Sequence, residues 1–286
     1  MISILKTHMT STAKPFVKWL GGKTKLLPQL ARLQPHSYNK YYEPFVGGGA
    51  LFFSLEPRHA VINDLNPHLI NLYVQVRNNL DGLICKLEEL LDIYLELDEE
   101  ARSAFYYLLR DEFNQRVDDD MWGAALFLFL NKTCYNGVYR ENAEGKFNVP
   151  HGHRKTVSLH ELDSIKHASN VLKNAEIWNG SYEDVLASAS EGDFIYLDPP
   201  YVPLSSTSNF TQYTGSNFGN AEHEKLKLLF EKLDKRGCLL MMSNSDTPLV
   251  KELYKRFRQT EVMADRAVNC KVQGRGKITE LVITNY

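Results

Sequence analysis

Two prolines in succession, Pro199 and Pro200, stand directly behind the apolar run Phe194-Ile-Tyr-Leu197 and the acid Asp198. Neither has a backbone N–H and both have φ held near the helical value, so neither a strand interior nor a helix interior runs through them. The residues before them, Asp193 to Leu197, read as a buried strand whose carboxyl end is set by the turn. In open α/β sheets ligands bind outside the carboxyl ends of the strands, which is where Asp198 falls.

Further strand-like runs occur at Tyr41-Tyr-Glu-Pro-Phe45, Ala60-Val-Ile62, Cys238 to Met242 and Leu281 to Thr284. Helical patterns lie between them. Asn220 to Arg236 carries Leu226, Leu229, Phe230 and Leu233 at helical spacing, and Gly237 is placed to end it. This alternation predicts an α/β protein with a mostly parallel, doubly wound sheet. From Pro67 to about Ala175 the pattern changes: segments such as Leu83 to Leu97 and Ala101 to Phe113 follow one another with no clear strand. The expected division is a sheet domain built from residues 1–66 and 176–286, interrupted by a helical insertion over 67–175.

A length of 286 residues suits one such core with a subdomain, and 43% hydrophobic against 24% charged residues excludes a disordered chain. The first residues lack a long apolar stretch, and the longest apolar run, Ala124 to Leu130, is too short to span a bilayer, so the expectation is a cytoplasmic protein without a membrane segment. Cys85, Cys134, Cys238 and Cys270 form no C-x-x-C pair and are expected to be reduced core residues, with no metal site. Monomer and dimer both stay open.

A net charge of −2 argues mildly against a nucleic-acid partner, because neutralising phosphates takes clustered Lys and Arg. The charges are segregated, however. Glu88 to Asp120 holds twelve acids and three bases, whereas Lys132 to Lys155 holds five bases and two acids. A second basic stretch, Arg266 to Lys277, includes Arg275 and is a candidate phosphate-binding face.

Three motifs carry chemistry. At Asp198-Pro-Pro-Tyr201 the prolines leave a stiff, acceptor-rich turn. Asp198 and the Pro199 carbonyl are suited to hold both hydrogens of a neutral amino group, and Tyr201 to stack on a flat ring, a contact worth about 1–3 kcal/mol. In-line transfer of a methyl group from a sulfonium fits such a pocket, since positioning then matters more than acid–base strength. The second motif, Glu43-Pro44-Phe45-Val46-Gly47-Gly48-Gly49, is a strand, a glycine loop and a helix start, and Asp64 stands where a carboxylate grips ribose hydroxyls. Position 52 is Phe, so the third glycine of a nicotinamide site is missing, and a phosphate-free adenosine ligand such as S-adenosylmethionine (AdoMet) fits better. In the third motif, Lys18-Trp19-Leu20-Gly21-Gly22-Lys23-Thr24, Val17 stands where a nucleotide phosphate loop needs glycine. Trp19 and Lys23 are expected instead at the methionine end of AdoMet, with Lys23 offering its cation to the carboxylate.

These motifs, together with Tyr135-Asn-Gly-x-x-Arg140 and Phe147-Asn-Val-Pro150, resemble in this order the Dam family of DNA adenine-N6 methyltransferases over nearly the whole chain. The likeness extends to the Dpn-type modification branch through Tyr201-Val-Pro-Leu-Ser-Ser-Thr, Ser243-Asn-Ser and Gly276-Lys-Ile-Thr-Glu280. The resemblance implies a class I AdoMet-dependent methyltransferase fold with an inserted target-recognition subdomain, double-stranded DNA as partner and GATC as target. It implies Asp198, Pro199, Pro200 and Tyr201 as the catalytic turn. It places Trp19, Gly21, Gly22, Lys23, Glu43, Pro44, Phe45, Gly47, Gly49, Asp64 and Asp198 around AdoMet. On the DNA side it implies Lys18 at an outer base pair, Tyr135 and Asn136 at the target step, Val138 as a wedge, and Arg140 on a guanine, with Asn148 and Pro150 in the same loop. Gly152-His153-Arg154 departs from the Gly-Arg-Tyr often found there, so Arg154 is read as a phosphate contact, as are Arg275 and Lys277. An RNA or cytosine-N4 amino methyltransferase is the first alternative and a non-catalytic DNA-binding module the second. The intact Asp198-Pro-Pro-Tyr201 argues against the module.

Overall fold

A computed structural model describes residues 13–116, 120–157, 162–203, 218–265 and 277–286. Seven strands form one sheet: β1 (Tyr41–Glu43), β2 (Ala60–Asp64), β3 (Ala175–Asn179), β4 (Phe194–Leu197), β5 (Leu239–Ser245), β6 (Arg258–Asp265) and β7 (Lys277–Thr284). Their order is β3-β2-β1-β4-β5-β7-β6. The first five run parallel, and β7 lies antiparallel between β5 and β6. From β1 the chain builds outward to β2 and β3 on one side and to β4 and β5 on the other, so the order reverses between β1 and β4. That reversal opens the crevice in which doubly wound sheets bind ligands.

Alternation along the strands feeds two apolar layers. Tyr41, Phe194, Tyr196, Met241 and Val282 face one side, where they join a core shared with α1 (Leu27–Leu30), α2 (Ala50–Leu55), α3 (Pro67–Asn78), α4 (Leu80–Glu96), α5 (Glu99–Gln115), α6 (Met121–Thr133) and α7 (Leu162–Leu172). Tyr42, Ile195, Leu197, Leu240, Met242, Leu281 and Ile283 face the other side and pack on α8 (Tyr182–Leu186), α9 (Asn220–Lys235) and α10 (Pro248–Leu253). The helices between β2 and β3 thus extend one face of the sheet rather than enclosing a core of their own.

Within that layer α6 is apolar on every side and buried from Gly123 to Asn131, with α3, α4 and α5 packed around it. This explains the run Ala124 to Leu130, which is a central core helix. Side-chain caps fix where the helices begin. Asn66 accepts from Leu69 N at the start of α3, Asp98 from Ala101 N at α5, and Asp120 from Gly123 N at α6, at 2.9, 2.9 and 2.7 Å.

The structure adds two strands that the sequence pattern misses, β3 and β6, both at sheet edges. The expected strand Tyr41 to Phe45 is shorter, ending at Glu43 because Pro44 has no N–H for the ladder. Of the cysteines, Cys134 and Cys238 are buried as expected, but Cys85 is exposed on α4, on the solvent side of an amphipathic helix, and Cys270 lies outside the described residues. No helix among the described residues is long and apolar enough to cross a membrane.

Candidate active site

The site is assembled from loops at the carboxyl ends of β1, β2 and β4. Glu43 closes β1 and is buried, accepting from the Tyr41 hydroxyl at 2.7 Å and from Phe52 N at 3.1 Å. Burial, partly offset by these bonds, lifts its carboxyl from 4.5 to about 8. The loop then turns through Gly47, whose φ of 47° is a left-handed value. A Cβ there would come within 2.7 Å of Trp19 Cδ1, so the glycine is what lets the indole lie against the loop.

Asp64 ends β2 and ties that loop down. Its Oδ2 accepts from Gly47 N at 3.0 Å and its Oδ1 from Asn66 N at 2.9 Å. Burial raises this carboxyl as well, against those backbone bonds. Asn63 reaches from β2 to the carbonyls of Pro44 and Gly180, each at 3.0 Å, and so joins the loops that follow β1 and β3. Phe45 packs on Tyr182 and Phe218, with ring centroids 5.2 and 6.2 Å away.

The Lys18–Lys23 segment crosses the top of these loops. Gly22 N bonds back to Trp19 O at 3.3 Å, and Lys23 Nζ donates to the Gly21 carbonyl at 2.7 Å. The same ammonium meets Asp198 Oδ2 at 2.9 Å and lies 4.8 Å from the centre of the Tyr201 ring. Lys23 is therefore shared between the glycine segment and the Asp198–Tyr201 turn, a pairing absent from the sequence expectation. The other carboxylate oxygen, Asp198 Oδ1, is buried without a hydrogen-bond partner among the described residues. Burial raises the Asp198 pKa, and the Lys23 charge and hydrogen bond oppose that rise.

Beyond Asp198, Pro199 is buried and Pro200 exposed. Tyr201 donates its hydroxyl to Glu280 Oε2 on β7 at 2.8 Å. The backbone after Tyr201 is pinned from β5: Val202 N donates to Asn244 Oδ1 at 3.3 Å and Ser245 Oγ to Val202 O at 2.7 Å. Glu280 belongs to this site although sequence reasoning did not place it there. The signal was an acid directly before the apolar end of β7.

The expected recognition residues collect at the end of α6. Tyr135 and Asn136 are exposed, with Asn136 at φ 58° and Gly137 at φ 66° forming a tight left-handed turn. Tyr135 N bonds to Pro150 O at 2.9 Å, and Arg140 Nε to Asn148 Oδ1 at 2.7 Å, so the Asn148 side chain holds an exposed guanidinium in place. Val138 is half-buried. Tyr139 is buried and stacks on Trp19 at 5.2 Å and 18°. Lys18 and Arg154 repel each other electrostatically beside this loop, which with burial lowers the Lys18 pKa. Arg275 lies outside the described residues, and so does the side chain of Lys277, whose backbone pairs with Asp265. Among the described residues no cluster of three or more His, Cys, Asp or Glu side chains is placed to hold a metal.

Known proteins match this chain along nearly its whole length. It is 44% identical to the Type II methyltransferase M.MjaIII of Methanocaldococcus jannaschii, covering 96% of this chain and 99% of that one. It is 41% identical to the Type II methyltransferase M1.LlaDCHI of Lactococcus lactis subsp. cremoris, covering 96% and 95%. To the DNA adenine methylase of Escherichia coli K12 it is 35% identical, covering 94% of each. The seven-stranded sheet and its helical layers are the class I methyltransferase fold. The family model for D12 class N6 adenine-specific DNA methyltransferases matches residues 19–268, and the chain belongs to that family.

Proposed function

We propose that this enzyme transfers the methyl group of AdoMet to N6 of an adenine flipped out of duplex DNA, with GATC as its target. It acts in the cytoplasm, as the protective partner of a restriction endonuclease or as an orphan or phage methylase. The observation that carries the reading is the Asp198 carboxylate: one oxygen is fixed by Lys23, and the other is buried and unpartnered. A buried acceptor left without a donor costs about 1–3 kcal/mol, and an exocyclic N–H supplies that donor. The names of the M. jannaschii and L. lactis relatives support modification of the Type II kind.

Bound AdoMet supplies an electrophilic methyl on a sulfonium. Asp198 Oδ1 and the Pro199 carbonyl would take the two N6 hydrogens and so orient the amino nitrogen for methyl transfer. Tyr201 stacks on the base, its hydroxyl held by Glu280. The Asp198 carboxylate would stabilise the positive charge that methyl transfer places on the nitrogen and would take up the surplus proton. The Lys23 charge and hydrogen bond oppose the rise that burial gives the Asp198 carboxyl. Glu43 to Gly49 and Asp64 form the adenosine side, and Trp19, Gly21, Gly22 and Lys23 the methionine side. Residues 1–66 and 176–286 act as the catalytic part and 67–175 as the target-recognition part; Tyr135, Asn136, Val138, Arg140, Asn148, Pro150 and Arg154 of the latter meet the DNA together with Lys18 of the former.

The site assignment is tested by incubating plasmid DNA with enzyme and AdoMet, then digesting with nucleases of opposite sensitivity to GATC methylation. Protection from one and susceptibility to the other are expected. An unchanged digestion pattern on DNA that has taken up methyl groups elsewhere sinks GATC as the target.

A further inference from the structure

Asn131 sits at the end of α6, 2% exposed, and its side-chain amide makes three bonds to two backbone segments. Its Oδ1 accepts from Lys18 N at 3.0 Å, and its Nδ2 donates to Lys18 O at 2.9 Å and to Gly137 O at 3.2 Å. Both backbone groups of Lys18 are thus satisfied by one side chain, 113 residues away in sequence. The third bond reaches the left-handed turn at the start of the recognition loop.

Two contacts run alongside. A Cβ on Gly137 would stand 2.5 Å from Lys18 Cδ, so the turn and the Lys18 side chain are in direct contact. Trp19, the next residue, is stacked between Tyr139 of the recognition loop and Gly47 of the glycine loop. A shift of the Lys18–Lys23 segment therefore moves Gly137 through a buried amide that has no other partner to turn to.

We infer that Asn131 is the positioning residue that couples the Lys18–Lys23 cofactor segment to the Tyr135–Arg140 recognition turn, so that methyl donor and cognate duplex bind cooperatively through it. The inference rests on the assignment of those segments proposed above. Coupling of this kind is reciprocal: each ligand tightens the other by the same factor.

The test is a titration cycle with S-adenosylhomocysteine and a GATC duplex, each measured with and without the other. In the wild type the coupling factor is expected within about 5–150-fold. N131A removes all three bonds, and N131D keeps the acceptor for Lys18 N but turns a carboxylate toward two carbonyls. Both are expected to bring the factor to within about 2-fold of unity while each ligand alone still binds. N71A is the matched control. Asn71 is also a buried amide in the helical layer, bonding Asp120 O at 2.9 Å and touching neither segment. N71A is expected to lower the melting temperature and leave the coupling factor unchanged. If N131A does not fold, N131D is read in its place. A wild-type coupling factor in folded N131A or N131D, or its equal loss in N71A, overturns the inference. So does a wild type that binds both ligands independently. A wild type that binds no S-adenosylhomocysteine overturns instead the reading on which the inference rests.

Discussion

At the scale of single residues, the Asp198–Tyr201 turn is built around a largely buried charge pair, Lys23 with Asp198. Lys23 opposes the effect of burial on Asp198, so its removal leaves desolvation opposed by the Tyr201 hydroxyl alone. Lys23→Met is expected to move the acidic limb of the kcat–pH profile to higher pH as well as weakening AdoMet binding, and an unshifted limb counts against the pairing. Tyr201 separates two contributions. Tyr201→Phe loses the hydroxyl, with its bond to Glu280 and its effect on Asp198, whereas Tyr201→Ala also loses the stacking surface, worth roughly 1–3 kcal/mol or about 5- to 150-fold. Single-turnover rates on one duplex should fall in that order. Glu43 gives a stability prediction with a definite sign. Its folded carboxyl titrates at about 8 rather than 4.5, so between those values the native state holds a proton that the unfolded chain has released. Its contribution is full below 4.5 and is lost as pH rises through about 8. Melting of Glu43→Gln against wild type should show the variant gaining relative stability across that interval, and parallel curves would contradict the buried, protonated glutamic acid.

At the scale of elements, the recognition loop is a tight turn followed by a braced arginine. Arg140→Ala is expected to relax discrimination at one guanine by about 1–3 kcal/mol in relative kcat/KM on singly altered sites. Asn148→Ala should reproduce part of that loss, because the Asn148 side chain holds the guanidinium. Unchanged relative rates in both variants would remove Arg140 as a reader. How far elements were legible in sequence follows from their burial. β4 and β5 announce themselves because both faces are covered, which leaves uninterrupted apolar runs. β3 and β6 sit at the two edges and carry polar or exposed residues such as Glu176, Trp178, Gln259 and Met263, so no apolar run marks them. Asp198, Lys23 and Asp64 were legible because each lies in a compact motif. Their partners were not. The Lys23–Asp198 pair, the Tyr201–Glu280 bond and the Asn131 bridge join residues distant in sequence, and only the fold brings them together.

At the scale of the molecule, the helical layer and one face of the sheet share a continuous core, from Tyr41 and Tyr196 through Phe52 and Tyr73 to Phe129 and Leu172. With no polar boundary between them, thermal unfolding should be one cooperative transition, raised by S-adenosylhomocysteine. Two separated calorimetric transitions would show that the insertion folds apart from the sheet. The sheet supplies the switch point, and the loops on its carboxyl side bring together the two segments proposed above to hold the methyl donor and to read the bases. The most direct test of the account is to incubate the protein with methyl-labelled AdoMet and unmethylated duplex DNA, hydrolyse the DNA and identify the labelled nucleoside. Label in N6-methyl-2′-deoxyadenosine from GATC duplexes, and its loss in Asp198→Ala, are the expected results. Label in a cytosine derivative, or undiminished label with Asp198→Ala, would contradict it.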